Sequence, residues 1–190
     1  MNRKIKTISD AVGKELVAQY SREMSNYLLY RQFANHYYLQ GYEELGDYYM
    51  IRSEEEVKHA SIIFDYLTVC DFPIQFTEIP IVTPKMEDAF VDPIKLTVDK
   101  EIETTMDLLK ILEMAISEKD YMTEQWLKEG LLMIQQLDEE PESRTALDIA
   151  EDSHSSNLRK QQTIRNLLSG QAPKKYIKTP YDEPTVIDND

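Results

Sequence analysis

The chain has 190 residues, 35 of them acidic against 21 basic, for a net charge of −14; that balance argues against nucleic acid as a partner, because phosphate binding needs a basic face. No apolar run reaches the ~18 residues of a membrane span, and the N-terminal MNRKIKTISDAV lacks the apolar core of a signal peptide. The single Cys70 can form no internal disulfide, so the chain reads as a cytoplasmic protein with Cys70 as a small core residue.

The length suits one domain with a good core, and only five glycines favour long, uninterrupted helices. Residues 8 to 40 carry helical periodicity, with Ser9 or Asp10 placed to cap the start and Gly41 to end it. The apolar stripe of this helix is Leu16, Tyr20, Tyr27, Tyr30 and Ala34, with Glu23 as the misfit; His36 lies off it.

A second helix runs from about Tyr42 to Cys70 and ends at Asp71-Phe72-Pro73. Glu56 and His59, spaced i, i+3, leave one face of it, in line with Leu45, Tyr49, Ile63 and Tyr66. A carboxylate and an imidazole in an apolar stripe are costly unless compensated, and a metal ion gripped by Glu-x-x-His is one compensator.

A long connection with Pro73, Pro80 and Pro84 follows, up to about Asp92. Extended, ~20 residues outreach a ~40 Å helix, so the segment can carry the chain from one end of a bundle to the other and make helices two and three parallel. The third helix runs from about Asp92, with Pro93 in its first turn, to Ser117. Its stripe is Ile94, Val98, Thr105, Leu108, Leu112 and Ala115, again with one acid, Glu101.

The fourth helix starts near Met122, and its stripe is Glu129, Leu132, Gln136, Glu139, Ser143, Ala146, Leu147 and Ala150. Pro141 falls inside it and either kinks the helix, at about 3 kcal/mol unless relieved, or starts a new one. A short last helix from about Ser156 to Leu168 ends at Gly170, and the Pro-rich tail over 171–190 reads as disordered. The expected fold is all-α: a four-helix bundle over 1–170 with a long crossover between helices two and three and a short fifth helix.

Antiparallel helices joined by a short turn place residues level when they are equally far from that turn. Glu23 lies 18 residues before Gly41, and the same distance beyond it reaches His59, with Glu56 one turn away. Glu101 lies about 19 residues before the second turn, near 120, and Glu139 lies about as far after it, with Gln136 one turn earlier. The spacing therefore brings Glu23, Glu56, Glu101, Glu139 and a neutral His59 to one level of the interior. Four buried carboxylates without counter-charge are strongly unfavourable, and two divalent cations cancel them. Oxygen-rich ligation with one imidazole suits iron or manganese better than zinc.

At this point REMSNYLLYRQF, EEEVKHASIIFDYL, DKEIETTMDLL and QQLDEEPESRTALD, in that order and spacing, resemble the non-haem ferritins, di-iron helix bundles of the ferritin-like kind, over about residues 10 to 168. The resemblance implies iron storage with ferroxidase activity, Fe2+ being oxidised by O2 or H2O2 and laid down as mineral inside a homo-oligomeric 24-mer cage. It implies Glu23, Glu56 and His59 as ligands of one iron, with Glu56 bridging to a second held by Glu101 and Glu139. Gln136 stands where the family has a polar residue near the oxidant, and Tyr30 matches a tyrosine beside the centre. Glu55 matches a carboxylate of an accessory third site, although Gln135 stands where that site has an acid and Asp138 is its other partner. Glu129 is the candidate acid for guiding Fe2+ inward.

Haem is not expected, since Val57 replaces the Met that follows the bridging Glu in haem-bearing bacterioferritins. Glu151 and His154 repeat the Glu-x-x-His spacing but lie about 12 residues, roughly 18 Å, past the level of the other ligands; they become the ligand pair only if Pro141 starts the true fourth helix. Two further readings stay open: a non-catalytic storage subunit, and a four-helix interaction protein that binds no metal.

Overall fold

The structure, a computed structural model, describes residues 8–169; the expectations for Gly170 as a helix end and for a disordered tail over 171–190 lie outside the described residues. The described chain is all-helical and forms a four-helix bundle with a short additional helix at its end. Helix α1 spans Asp10–Leu39, and Ser9 caps it by accepting the Val12 N–H at 3.1 Å. Gly41, at φ 77°, makes the tight turn into the antiparallel α2, Glu43–Val69. Helix α3 spans Asp92–Ser117, with Pro93 in its first turn, where the missing N–H costs nothing.

The crossover between α2 and α3 is irregular but tied along α1. Phe76 stacks on Tyr20 at 4.4 Å between centroids. Further on, Ser25 Oγ donates to Pro80 O at 2.5 Å, Gln32 Nε2 to Val82 O at 3.2 Å and Tyr37 OH to Phe90 O at 2.7 Å. His36 Nε2, half-buried, meets Ala89 O at 2.8 Å. The contacts climb α1 in order, so the crossover travels the length of the bundle and α2 and α3 run parallel.

The fourth position of the bundle is not the single helix that the periodicity predicts. It consists of α4 (Tyr121–Glu129), α5 (Leu131–Ile134), a π-helical turn (Gln135–Glu139) and α6 (Glu140–Glu151), followed by α7 (Asn157–Ser169). The first break is at Gly130, whose φ −116° and ψ −116° leave the helical region; a Cβ there would stand 2.7 Å from Trp126 O. The second irregularity answers the question of Pro141. It neither breaks the chain nor begins an independent helix but sits in the first turn of α6, directly after the π turn. Proline has no N–H, and its ring crowds the carbonyl four residues back. The extra residue in the π turn widens the backbone at that point, with the Glu140 N–H reaching back to Gln135 O.

Two apolar clusters fill the bundle. One holds Leu16, Ile63, Leu67, Leu108, Ile111 and Leu127, with Cys70 among its members. The other is aromatic, with Tyr30, Phe33, Tyr37, Tyr48, Tyr49 and Phe90. Along α1, α2, α3 and the π turn buried polar side chains fall between the two clusters, and these polar residues form the site.

Candidate metal centre

The stripe of α2 reads Leu45, Tyr49, Arg52, Glu56, His59, Ile63, Tyr66, and all seven are buried. Helical spacing alone aims the three polar members inward with their apolar neighbours. Glu23 on α1, Glu101 on α3 and Glu139 on the π turn are buried at the same level, at 1%, 1% and 5% exposure.

Glu23, Glu56 and His59 each offer a ligand atom, and these atoms lie within 4.8 Å of one another. Around them the side chains form a dense network. Gln19 Nε2 donates to Glu23 Oε1 at 2.6 Å, and His59 Nε2 lies 3.3 Å from Glu139 Oε1. Glu101 accepts three donors at 2.6 Å each: Tyr30 OH and Arg52 Nη2 on Oε1, and Gln135 Nε2 on Oε2. Arg52 Nη1 reaches Glu55 Oε2 at 3.0 Å and Glu139 Oε1 at 3.4 Å. Two buried carboxylate oxygens, Glu23 Oε2 and Glu139 Oε2, have no hydrogen-bond partner.

The electrostatics follow from crowding acids in a dry interior. Each unpaired buried ion costs several kcal/mol, and four acids face one guanidinium. Burial, then the charges of Glu101, Glu23 and Glu139, push Glu56 well above the usual carboxylate range. Burial likewise raises Glu139, to about 7, although His59 and Arg52 pull it back. Burial by itself would lower His59, but Glu139, Glu23 and Glu55 outweigh it, and the imidazole pKa is raised. Burial opposes the charge on Arg52 too; Glu101, Glu139 and Glu55 overcome it and hold the guanidinium firmly protonated. Burial and the charge of Glu101 keep the Tyr30 hydroxyl protonated, as its donor role requires.

Of the residues the sequence singled out, Glu23, Glu56, His59, Glu101, Glu139 and Tyr30 come together. Gln136 does not: it is exposed, and Gln135 takes the inward position. In a turn closed i to i+5, residues four apart rather than three face the same way, so Gln135 aligns with Glu139 and Gln136 rotates out. Glu55 is half-buried beside Arg52, and Asp138 is half-buried on the π turn. Glu129 is exposed on the last turn of α4, accepting from Gln125 at 3.1 Å. Glu151 and His154 are both exposed at the far end of α6. Sequence reasoning missed Arg52 and Gln19, although both stand on the stripes already drawn, each four residues before a misfit acid.

The donor set fits a divalent cation. A spread of 4.8 Å is slightly wider than the ~4.2 Å that opposite ligands of one ion span, and Glu23 Oε2, buried without a donor, offers such an ion free lone pairs. No sulfur takes part, since Cys70 lies in the apolar cluster below, and oxygen with imidazole suits iron or manganese.

The ferritin-like domain profile matches residues 13–151. Among solved structures, the open pore ferritin of the hyperthermophilic archaeon Archaeoglobus fulgidus superposes with a TM-score of 0.75 at 21% identity, covering 88% of this chain and 100% of that one. M. penetrans ferritin superposes with a TM-score of 0.78 at 11% identity, covering 84% and 96%. No curated protein matches the sequence. At these identities the superpositions speak for the fold, while the profile spans most of the chain and all four segments that carry the buried acids: the chain belongs to the ferritin-like family.

Proposed function

We propose that this protein stores iron and oxidises Fe2+ at a centre inside each subunit. The observation that carries this reading is the buried Glu23–Glu56–His59 group, whose ligand atoms lie within 4.8 Å of one another. Iron is here substrate and cargo. Glu23, Glu56 and His59 bind the first Fe2+, and Glu56 with Glu101 and Glu139 serves the second. Two Fe2+ give up two electrons, O2 takes them with two protons to become H2O2, and the Fe3+ produced passes on to mineral in a homo-oligomeric cage; H2O2 can serve as oxidant in the same way.

The side chains bind and neutralise charge, and none acts as nucleophile. Tyr30 and Gln135 hold Glu101 in orientation, and Gln19 does so for Glu23. With a net charge of −14 the protein attracts cations, and no helix among the described residues is long and apolar enough to cross a membrane; the cytoplasm is the compartment that fits the single thiol.

Anaerobic protein mixed with two Fe2+ per chain and exposed to air tests the reading. Wild type should show a fast oxidation phase, and the Glu23→Ala/His59→Ala double variant should lose it. Equal rates would overturn the assignment, whereas iron uptake without any fast phase in wild type would leave a non-catalytic storage subunit.

A further inference from the structure

We infer that Arg52 is a built-in counter-cation that closes the second half of the centre, so that each chain binds one divalent ion tightly and admits another only when the guanidinium is displaced. This rests on the proposed binding of metal at Glu23, Glu56 and His59.

The two halves of the site are not equivalent. On one side, Glu23 Oε2 is buried and accepts no donor, beside Glu56 and His59. On the other, Glu101 already accepts three donors, which leaves at most one of its roughly four lone-pair sites open. Its Oε1 accepts Tyr30 OH and Arg52 Nη2, and its Oε2 accepts Gln135 Nε2, all at 2.6 Å from three different elements. Arg52 Nη1 also takes one oxygen of Glu139, at 3.4 Å. A guanidinium does not lose its proton, so a second metal ion seeking Glu101 and Glu139 meets a fixed positive charge among its own ligands. It must break charge-assisted hydrogen bonds that are among the stronger kind.

Displacement has a route, because Arg52 Nη1 already lies 3.0 Å from Glu55 Oε2, whose side chain is 26% exposed at the edge of the site. Glu55 is thus the anchor that receives the guanidinium when it swings away from Glu101. The buried Arg52 Nε, which has no hydrogen-bond partner, shows that the side chain is not fully satisfied where it lies.

Calorimetric titration of the metal-free, full-length protein with Zn2+, which does not oxidise, tests the inference. Wild type should bind one ion per chain tightly and a second at least about tenfold more weakly, the equivalent of one charged hydrogen bond. In Arg52→Gln the second ion should tighten by about tenfold while the first changes little. Two equal sites in wild type, or a second site unmoved by Arg52→Gln, would overturn the inference and leave the proposed function standing. No Zn2+ binding in either protein would overturn both. Should Arg52→Gln fail to fold, Glu55→Gln takes its place: without its outer anchor Arg52 stays on Glu101, and the second ion should bind still more weakly; an unchanged second site there also defeats the inference.

Discussion

His59 Nε2 lies 3.3 Å from Glu139 Oε1, so the imidazole of α2 and the carboxylate of the π turn form an ion pair whenever the imidazole is protonated. Burial disfavours charge on both, yet Glu139 and then Glu23 and Glu55 raise His59 above its ordinary 6.5, while burial raises Glu139 to about 7 and Glu56 well above the carboxylate range. Near neutral pH the metal-free site therefore holds protons that a cation must expel. Uptake of Zn2+ at pH 7 should release on the order of one to two protons per ion, and affinity should rise between pH 6 and 8. Calorimetry in two buffers of different ionisation enthalpy measures the release; an enthalpy independent of buffer would contradict it.

The same shifts act on the stability of the metal-free protein. Glu56 and Glu139 bind protons more tightly folded than unfolded, so their contribution is fully present below the unfolded carboxylate value and is lost as pH rises through the folded values, about 7 for Glu139. His59, also raised, adds a loss in the same direction above 6.5. In the presence of a chelator, stability should fall from pH 5.5 to pH 8, with Glu139 alone worth on the order of 2 kcal/mol over that interval. Glu139→Gln, neutral at every pH, should flatten that slope and melt higher than wild type at pH 8. A wild-type melting temperature that rises across this interval would sink the account.

Most of the centre was legible because acids in an apolar stripe are conspicuous: Glu23, Glu56, Glu101 and Glu139 each stand among Leu, Tyr or Ile at helical spacing. Arg52 was not, since it opens the charged run RSEEEVK and reads as solvated surface, although it completes the series from Leu45 to Tyr66 at intervals of three and four. The charge balance drawn from sequence alone assigned all neutralisation to metal, whereas one positive charge is internal. Gln135 and Gln136 were misassigned for another reason. A π turn leaves the hydrophobic pattern almost unchanged while rotating the residues inside it, so periodicity cannot tell which of two adjacent amides faces in. The break at Gly130 hides in the same way, flanked as it is by good helix formers.

Two close approaches in the bundle make opposite predictions for the same substitution. At Gly13 a Cβ would stand 2.2 Å from Phe72 Cε2, a ring only 8% exposed at the start of the crossover. Gly13→Ala must displace a packed aromatic and should cost about 1–3 kcal/mol. At Gly46 the Cβ would stand 2.3 Å from Tyr38 Cε1, but Tyr38 is 41% exposed and can swing outward. Gly46→Ala should fall within about 1 kcal/mol of wild type, helix propensity offsetting the exposed Tyr38–Asp47 bond. Urea unfolding of the two variants compares them; equal losses would mean that the crossover is not anchored by Phe72.

Pro141 links the backbone of the fourth bundle position to the chemistry of the centre. In a regular α-helix it would strip a hydrogen bond and press on the carbonyl of residue 137, a cost near 3 kcal/mol. The π turn just before it removes the crowding, the Glu140 N–H bonding to Gln135 O across the wider loop, and that same turn is what aims Gln135 and Glu139 together at Glu101 and His59. If the turn has absorbed the proline, Pro141→Ala should lower stability by no more than about 1 kcal/mol, the entropy returned to the unfolded chain, and the first Zn2+ should bind as in wild type because Glu23, Glu56 and His59 are untouched. A gain of about 3 kcal/mol would instead show proline strain still present in the native helix. A gain of that size coupled to loss of the weaker ion, which depends on Glu139 of the turn, would mean that the proline, not the packing of α3 against α6, holds the widened turn open.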